Sequence, residues 1–281
     1  MTQDYVTLYL NSIFAKDDLH GFLSLMFLFM GRMFPILAMA PFFGAKVLPH
    51  SAKVVFGLSL FVIFLPQLTL VTHTDLGYNT QLIFFFLKEI FIGIVLGFII
   101  SLPFMIVQST GIMIDHQRGG ASLMVNDPTV QNQSSPLGTL FNLLLINLFF
   151  MIDGPFTVIE IISESYNMVP PDKFLNWSFF SQDYAIYKKV MGIMGSVMIL
   201  STQMAAPALI IILMTDFFLG IANRLAPQVQ VTFLGMPLKS LLGLAILYFG
   251  WFLFNEEMVA QAYKALNEFA KFVEQFKPSS I

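Results

Sequence analysis

Residues Leu82 to Val107 read LIFFFLKEIFIGIVLGFIISLPFMIV. Lys88 and Glu89 are the only charges in an otherwise apolar run. A bilayer core about 30 Å thick needs roughly 20 residues of helix at 1.5 Å rise per residue. This run is longer than that. Its apolar residues are continuous rather than alternating, so it fits a helix in lipid and not one of the ten-residue alternating strands of a membrane barrel.

Five further runs share this character: Leu19–Ala45, broken only by Arg32, then Val54–Val71, Leu137–Ile162, Val190–Ala222 and Met236–Asn255. Val54–Val71 and Met236–Asn255 fit a single crossing. The other four are too long for an upright helix and contain Pro35, Pro103, Pro155 and Pro207, which predicts bends or breaks. Composition agrees. The chain has 281 residues, 57% hydrophobic and 11% charged, with 32 Phe and 17 Met. A soluble domain carries about 25% charged residues. The balance excludes an ordinary soluble globule and a disordered chain. A net charge of −3 leaves no basic excess for phosphates, which disfavours nucleic acid as a partner. With no Cys, a disulfide scaffold and thiolate chemistry are excluded. Asp4, Asp17 and Asp18 against Lys16 do not make the basic start of a signal peptide, so the first run is expected to be retained. The fold class is an all-α integral membrane protein of about six bent or broken hydrophobic helices, plus an amphipathic C-terminal helix.

That last helix is expected from Met258. Val259, Ala262, Leu266, Phe269, Phe272, Val273 and Phe276 recur in steps of three and four, and Pro278 would stop the helix. Glu268–Lys271 and Glu274–Lys277 can pair on its other side. Such a helix lies on the bilayer or on its own protein; a partner-binding helix is the second reading. The expected division is a membrane-embedded domain at 1–255 and a tail at 256–281. With an even number of spans, Lys and Arg are about equally dense on the two sides, so orientation stays open.

Soluble-enzyme signatures are absent: there is no G-x-x-x-x-G-K, G-x-S-x-G or H-E-x-x-H. His20, His50, His73 and His116 lack ligand spacing, so neither metal nor cofactor is expected. Arg32, flanked by apolar residues, must face protein or water, since a charge at a helix centre costs roughly 2.5–3.5 kcal/mol on insertion scales. It reads as a structural ion pair or a snorkelling residue, with pore lining or a subunit contact as the alternative. Lys88 and Glu89 point about 100° apart on a helix and read as interfacial. Asp153, Glu160 and Asp216 are the acids a proton-coupled transporter would need, but nothing in the sequence joins them into a relay. Gly93 and Gly97 form a G-x-x-x-G pair that suits close helix packing.

The stretch Gln108–Pro136 reads QSTGIMIDHQRGGASLMVNDPTVQNQSSP. It is too polar to cross lipid alone and too apolar for a plain solvent loop. Gly111, Gly119 and Gly120 permit sharp turns, and Asp127–Pro128 marks another. Irregular backbone at membrane depth is tolerated where protein or a water-filled cavity surrounds it. A re-entrant segment in a lumen and an amphipathic surface loop both fit.

Four stretches together resemble a known family. They are QSTGIMIDHQRGG at Gln108–Gly120 with Asp127–Pro128 and SPLGTLF at Ser135–Phe141; PFFGAKVLPHSAKVVFGLSL from Pro41; DGPFTVIEII from Asp153; and NRLAPQVQVTFLGMPLKS from Asn223. In this order and spacing they resemble the export-gate subunit of type III secretion systems, the FliR/SpaR/SctT family. The form at Asp115–Gly119 looks more like the virulence (injectisome) branch than the flagellar one. The resemblance implies bent helical hairpins and a structural, non-enzymatic, pore-forming role in the bacterial inner membrane. Unfolded substrate proteins would pass through the gate. Implied partners are the two small gate subunits (the R and S components), the specificity-switch subunit (U), the large gate subunit (V) and the lipid bilayer. The implied pore plug comprises Gly111, Ile112, Met113, Asp115, Gln117, Arg118, Gly119, Gly120, Met124, Asp127 and Pro128. The implied cytoplasmic entrance loop comprises Arg224, Pro227, Gln228, Val231, Phe233, Gly235 and Pro237. A flagellar gate subunit is the near alternative. A proton-coupled secondary transporter is a more distant one, since no internal repeat is visible.

Overall fold

Apolar runs become helices in this protein because each helix satisfies its own backbone hydrogen bonds. The computed structural model describes residues 19–43, 49–72, 80–119, 135–174, 183–225 and 231–274. Among them are eight α-helices and one 3-10 turn, and no strand: α1 (Leu19–Met39), the turn Pro41–Phe43, α2 (His50–Val71), α3 (Thr80–Gln117), α4 (Pro136–Met151), α5 (Gly154–Met168), α6 (Asp183–Leu225), α7 (Val231–Phe249) and α8 (Trp251–Glu274). Helices α1, α2, α3 and α6 are long and apolar enough to cross a membrane singly. The broken pairs α4–α5 and α7–α8 bring the number of candidate spans to as many as six.

Breaks occur at two places. Asp153 adopts the left-handed region at φ 56°, and Pro155 follows at the start of α5, where its missing N–H costs nothing. Helices α7 and α8 are bent by 69° around Gly250. Pro35, Pro103 and Pro207 each lie inside a helix that continues past them, so none of the three marks a break. One lost hydrogen bond in a long helix is tolerated where neighbours cover the freed groups.

Three polar stretches between the apolar runs contain helix among their described residues. Helix α3 continues ten residues past Val107 to Gln117, so Gly111 is a helix residue and not a turn. In the stretch Asn223–Pro237, Arg224 lies in the last turn of α6, Gly235 and Pro237 lie within α7, and residues 226–230 lie outside the described residues. The stretch from Ser163 to Lys189 holds the end of α5 and the start of α6. At Thr110 and Asp115 polarity alone misleads, because the end of α3 buries these groups against other protein and not against lipid.

The chain forms two compact units: residues 1–101, 153–186 and 265–281, and residues 102–152 and 187–264. In the first, the core holds Leu25, Leu28, Phe29, Met33 and Ile36 of α1 with Phe61, Phe64 and Leu68 of α2. Phe29 lies 5.5 to 5.8 Å from the rings of Phe61, Phe64 and Tyr166. Gly93 and Gly97 bear out the packing expected of their motif. A Cβ on Gly93 would overlap the Arg32 carbonyl, and one on Gly97 would press on Ile36 and Pro35. In the second unit, Phe104 stacks edge-on against Phe149 at 5.4 Å, Phe141 meets Phe254 at 4.6 Å, and Ala205, Ala208 and Ile212 of α6 are buried.

Helix α8 has the expected amphipathic spacing, with Met258, Ala262, Leu266, Phe269 and Val273 buried. It begins earlier than the sequence suggested, at Trp251, so position 255/256 falls inside it. Its apolar face rests on protein. The exposed Glu268–Lys271 pair at 3.9 Å adds little.

Candidate functional site

Two polar clusters stand out against the apolar background, one in each unit. In the first, Arg32 of α1 is fully buried. Its Nε donates to Glu89 Oε2 at 2.5 Å and its Nη2 to Glu89 Oε1 at 2.9 Å, a two-pronged pair with α3. Arg32 also donates to Ser165 Oγ at 3.0 Å and to the Val169 carbonyl at 2.8 Å, and its guanidinium lies 4.0 Å from the Tyr166 ring centre. Lys88 pairs with Glu89 Oε1 at 2.8 Å. Its ammonium donates to the carbonyls of Pro170, Pro171 and Lys173. Arg32 is thus the structural ion pair that was one of its expected roles. Lys88 and Glu89 are corrected from interfacial residues to buried ones. Their apolar flanks on both sides are the same signal that singled out Arg32. The 100° between them does not separate them, because the long lysine stem reaches back to its neighbour's carboxylate.

The second cluster lies at the corner where α3 ends and α4 begins. Asp115, fully buried in the last turns of α3, accepts from Arg118 Nε on Oδ1 at 2.7 Å. The Arg118 Nη2–Asp115 distance is 2.6 Å, so the two residues, three apart, pair within one turn of helix. The other oxygen, Oδ2, accepts from the Ser135 hydroxyl and from the Leu137 amide at 2.9 Å. Ser135 caps α4 in turn, accepting from the Gly138 amide at 2.9 Å. The Ser-Pro step at 135–136 is a helix-start signal that the sequence reading passed over. Asp115 therefore holds the end of α3 and the start of α4 on one carboxylate. Gly111 serves the same corner, since a Cβ there would run into the Gly138 backbone. Gly119 follows at φ 90°, a true turn glycine.

Of the residues expected in the plug, Gly111, Ile112, Met113, Asp115 and Gln117 are on α3, and Arg118 and Gly119 are in the turn after it. Gly120, Met124, Asp127 and Pro128 lie outside the described residues. Met113 approaches Thr202 of α6, with sulfur and hydroxyl 3.9 Å apart. In the entrance loop, Pro227 and Gln228 lie outside the described residues, and Val231 and Phe233 are placed in the first turn of α7. Asp216 of α6 pairs with Lys239 of α7. Among the described residues no group of His, Cys, Asp and Glu could hold a metal ion.

The family model described as "Bacterial export proteins, family 1" matches residues 23–264. The chain belongs to that family. This export protein is 30% identical over 239 residues to the surface presentation of antigens protein SpaR of Shigella sonnei, covering 83% of this chain and 87% of the relative. It is 28% identical over 183 residues to the Yop proteins translocation protein T of Yersinia pestis, with 64% and 66% covered. The flagellar biosynthetic protein FliR of Buchnera aphidicola is 28% identical over 227 residues, with 78% and 81% covered. The match takes in both polar clusters of the export protein and both broken helix pairs up to residue 264.

Proposed function

We propose that this membrane protein is the pore-forming subunit of the export gate of a type III secretion system, of the injectisome branch, in the bacterial inner membrane. It assembles with the two small gate subunits, the specificity-switch subunit and the large gate subunit, and unfolded proteins pass through the assembly. The segment after Gly119 serves as the plug of the closed pore. The short connection after Leu225 lies at the cytoplasmic entrance. The SpaR relative and the translocation protein T support the branch. The flagellar FliR relatives keep a flagellar gate as the second reading.

The observation that carries the plug is the Asp115 corner. A segment that seals a passage must have fixed ends and weak internal contacts. Arg118 and Ser135, which flank it, are both bound to one buried carboxylate. This dictates how the idea is tested. A deletion starting at Gly111 would remove the end of α3 and the second cap of α4, and it would disrupt assembly for reasons unrelated to sealing. Deleting Ala121–Gln131 keeps both anchored ends. With the partner subunits coexpressed, that deletion should still assemble and should raise ion flux across the inner membrane well above wild type. An assembled deletion complex as tight as wild type would rule out this segment as the seal.

A further inference from the structure

The middle of α7 meets the Asp115 corner directly. Arg118 Nη1 lies 3.4 Å from the Ser240 hydroxyl, so the guanidinium that holds Asp115 also reaches α7. One turn earlier, a side chain at Gly119 would meet Met236 at 3.9 Å. Lys239, next to Ser240, is pinned to Asp216 of α6. Residues 236–240 thus touch the end of α3 on one side and α6 on the other. Ser240 lies about three turns of helix beyond the connection 226–230.

We infer that Arg118 is a positioning residue that couples α7 to the α3–α4 corner, with Ser240 as its contact on α7. Arg118 divides its donors between Asp115 and Ser240. If α7 shifts away from the corner, Arg118 loses one acceptor, and its hold on Asp115 changes. Asp115 in turn bonds the Leu137 amide and the Ser135 hydroxyl, so the start of α4 feels the shift. A shift of α7 therefore reaches the corner through the side chains of Ser240, Arg118 and Asp115. Its consequence for a pore rests on the plug reading above; the coupling itself does not.

The amides of Leu137 and Gly138 report on the corner, because both donate into this network. Hydrogen exchange of these two amides is measured in the assembled complex, alongside ion flux. Arg118→Ala should speed their exchange about tenfold, the size expected for loss of a hydrogen-bonded charge. Ser240→Ala should speed it by a smaller factor, and Ser240→Thr, which keeps the hydroxyl, should leave it at the wild-type rate. In the Arg118→Ala background, Ser240→Ala should add nothing. The same exchange rates in Ser240→Ala and wild type would overturn the coupling, as would effects of Arg118→Ala and Ser240→Ala that simply multiply. Faster exchange with no gain in ion flux would leave the coupling standing and count against the plug.

Discussion

Glu89 stands between two cations, Arg32 and Lys88, with no exposure of its own. Removing one partner of a buried ion pair leaves the other charge uncompensated and costs about 3–5 kcal/mol. Glu89→Gln should therefore lower the thermal midpoint of the purified complex and the amount recovered. The triple change Arg32→Met, Lys88→Met and Glu89→Leu removes all three charges and should recover much of that loss, because an apolar cluster needs no desolvation. If the triple variant is as unstable as the single one, the cluster does more than satisfy its own charges. Glycines give a second contrast at this scale. Gly93 faces the Arg32 backbone, which cannot give way, whereas a methyl group on Gly192 would meet nothing within 4 Å. Gly93→Ala should push α1 away from α3 and reduce folded yield sharply. Gly192→Ala should be neutral or slightly favourable, since Ala is the better helix former by about 1 kcal/mol.

Helix ends, rather than helix middles, carry the function proposed for this chain. Helix α3 ends at the Asp115 corner, and α6 and α7 leave only residues 226–230 between them. The short connection sharpens the entrance prediction. A photocrosslinker at Gln228 belongs to the connection between the two helices, while one at Phe249 sits at the far end of α7. In secreting cells the first should capture the specificity-switch subunit and the second should not. Adducts to lipid alone at Gln228 would remove the entrance assignment. The α4–α5 break makes the same point: Asp153 at φ 56° turns a run too long for one helix into two, and Pro155 starts the second of them.

At the scale of the whole molecule, the surface of α6 and α7 is mostly apolar. Met198, Phe217, Phe218, Tyr248 and Phe249 are each more than 60% exposed. Lipid covers such a face well. It covers the partly exposed Asp216–Lys239 pair on the same two helices poorly. Expressed alone, the chain should therefore be heterogeneous in detergent. Coexpression with the two small gate subunits should give one discrete species by size-exclusion chromatography with mass measurement. A well-behaved monomer that gains no partners would count strongly against the gate.

Helices and their membrane character follow from the sequence alone, because hydrophobic length and continuity are local properties. The spacing of α8 and the Asp115–Arg118 pair were legible for the same reason, being separated by one turn of helix. The ordered motifs were enough to reach the family. Tertiary structure decided what joins residues far apart in the chain. Nothing local tells Arg32 that Glu89 is its partner, or tells Asp115 that its second oxygen belongs to Ser135 and Leu137. Polarity at Gln108–Gln117 hid a helix because the sequence does not reveal that Thr110 and Asp115 will be covered by protein. Burial and long-range pairing belong to the packed chain, and they placed Lys88 and Glu89 in a buried cluster and Asp115 at a helix corner.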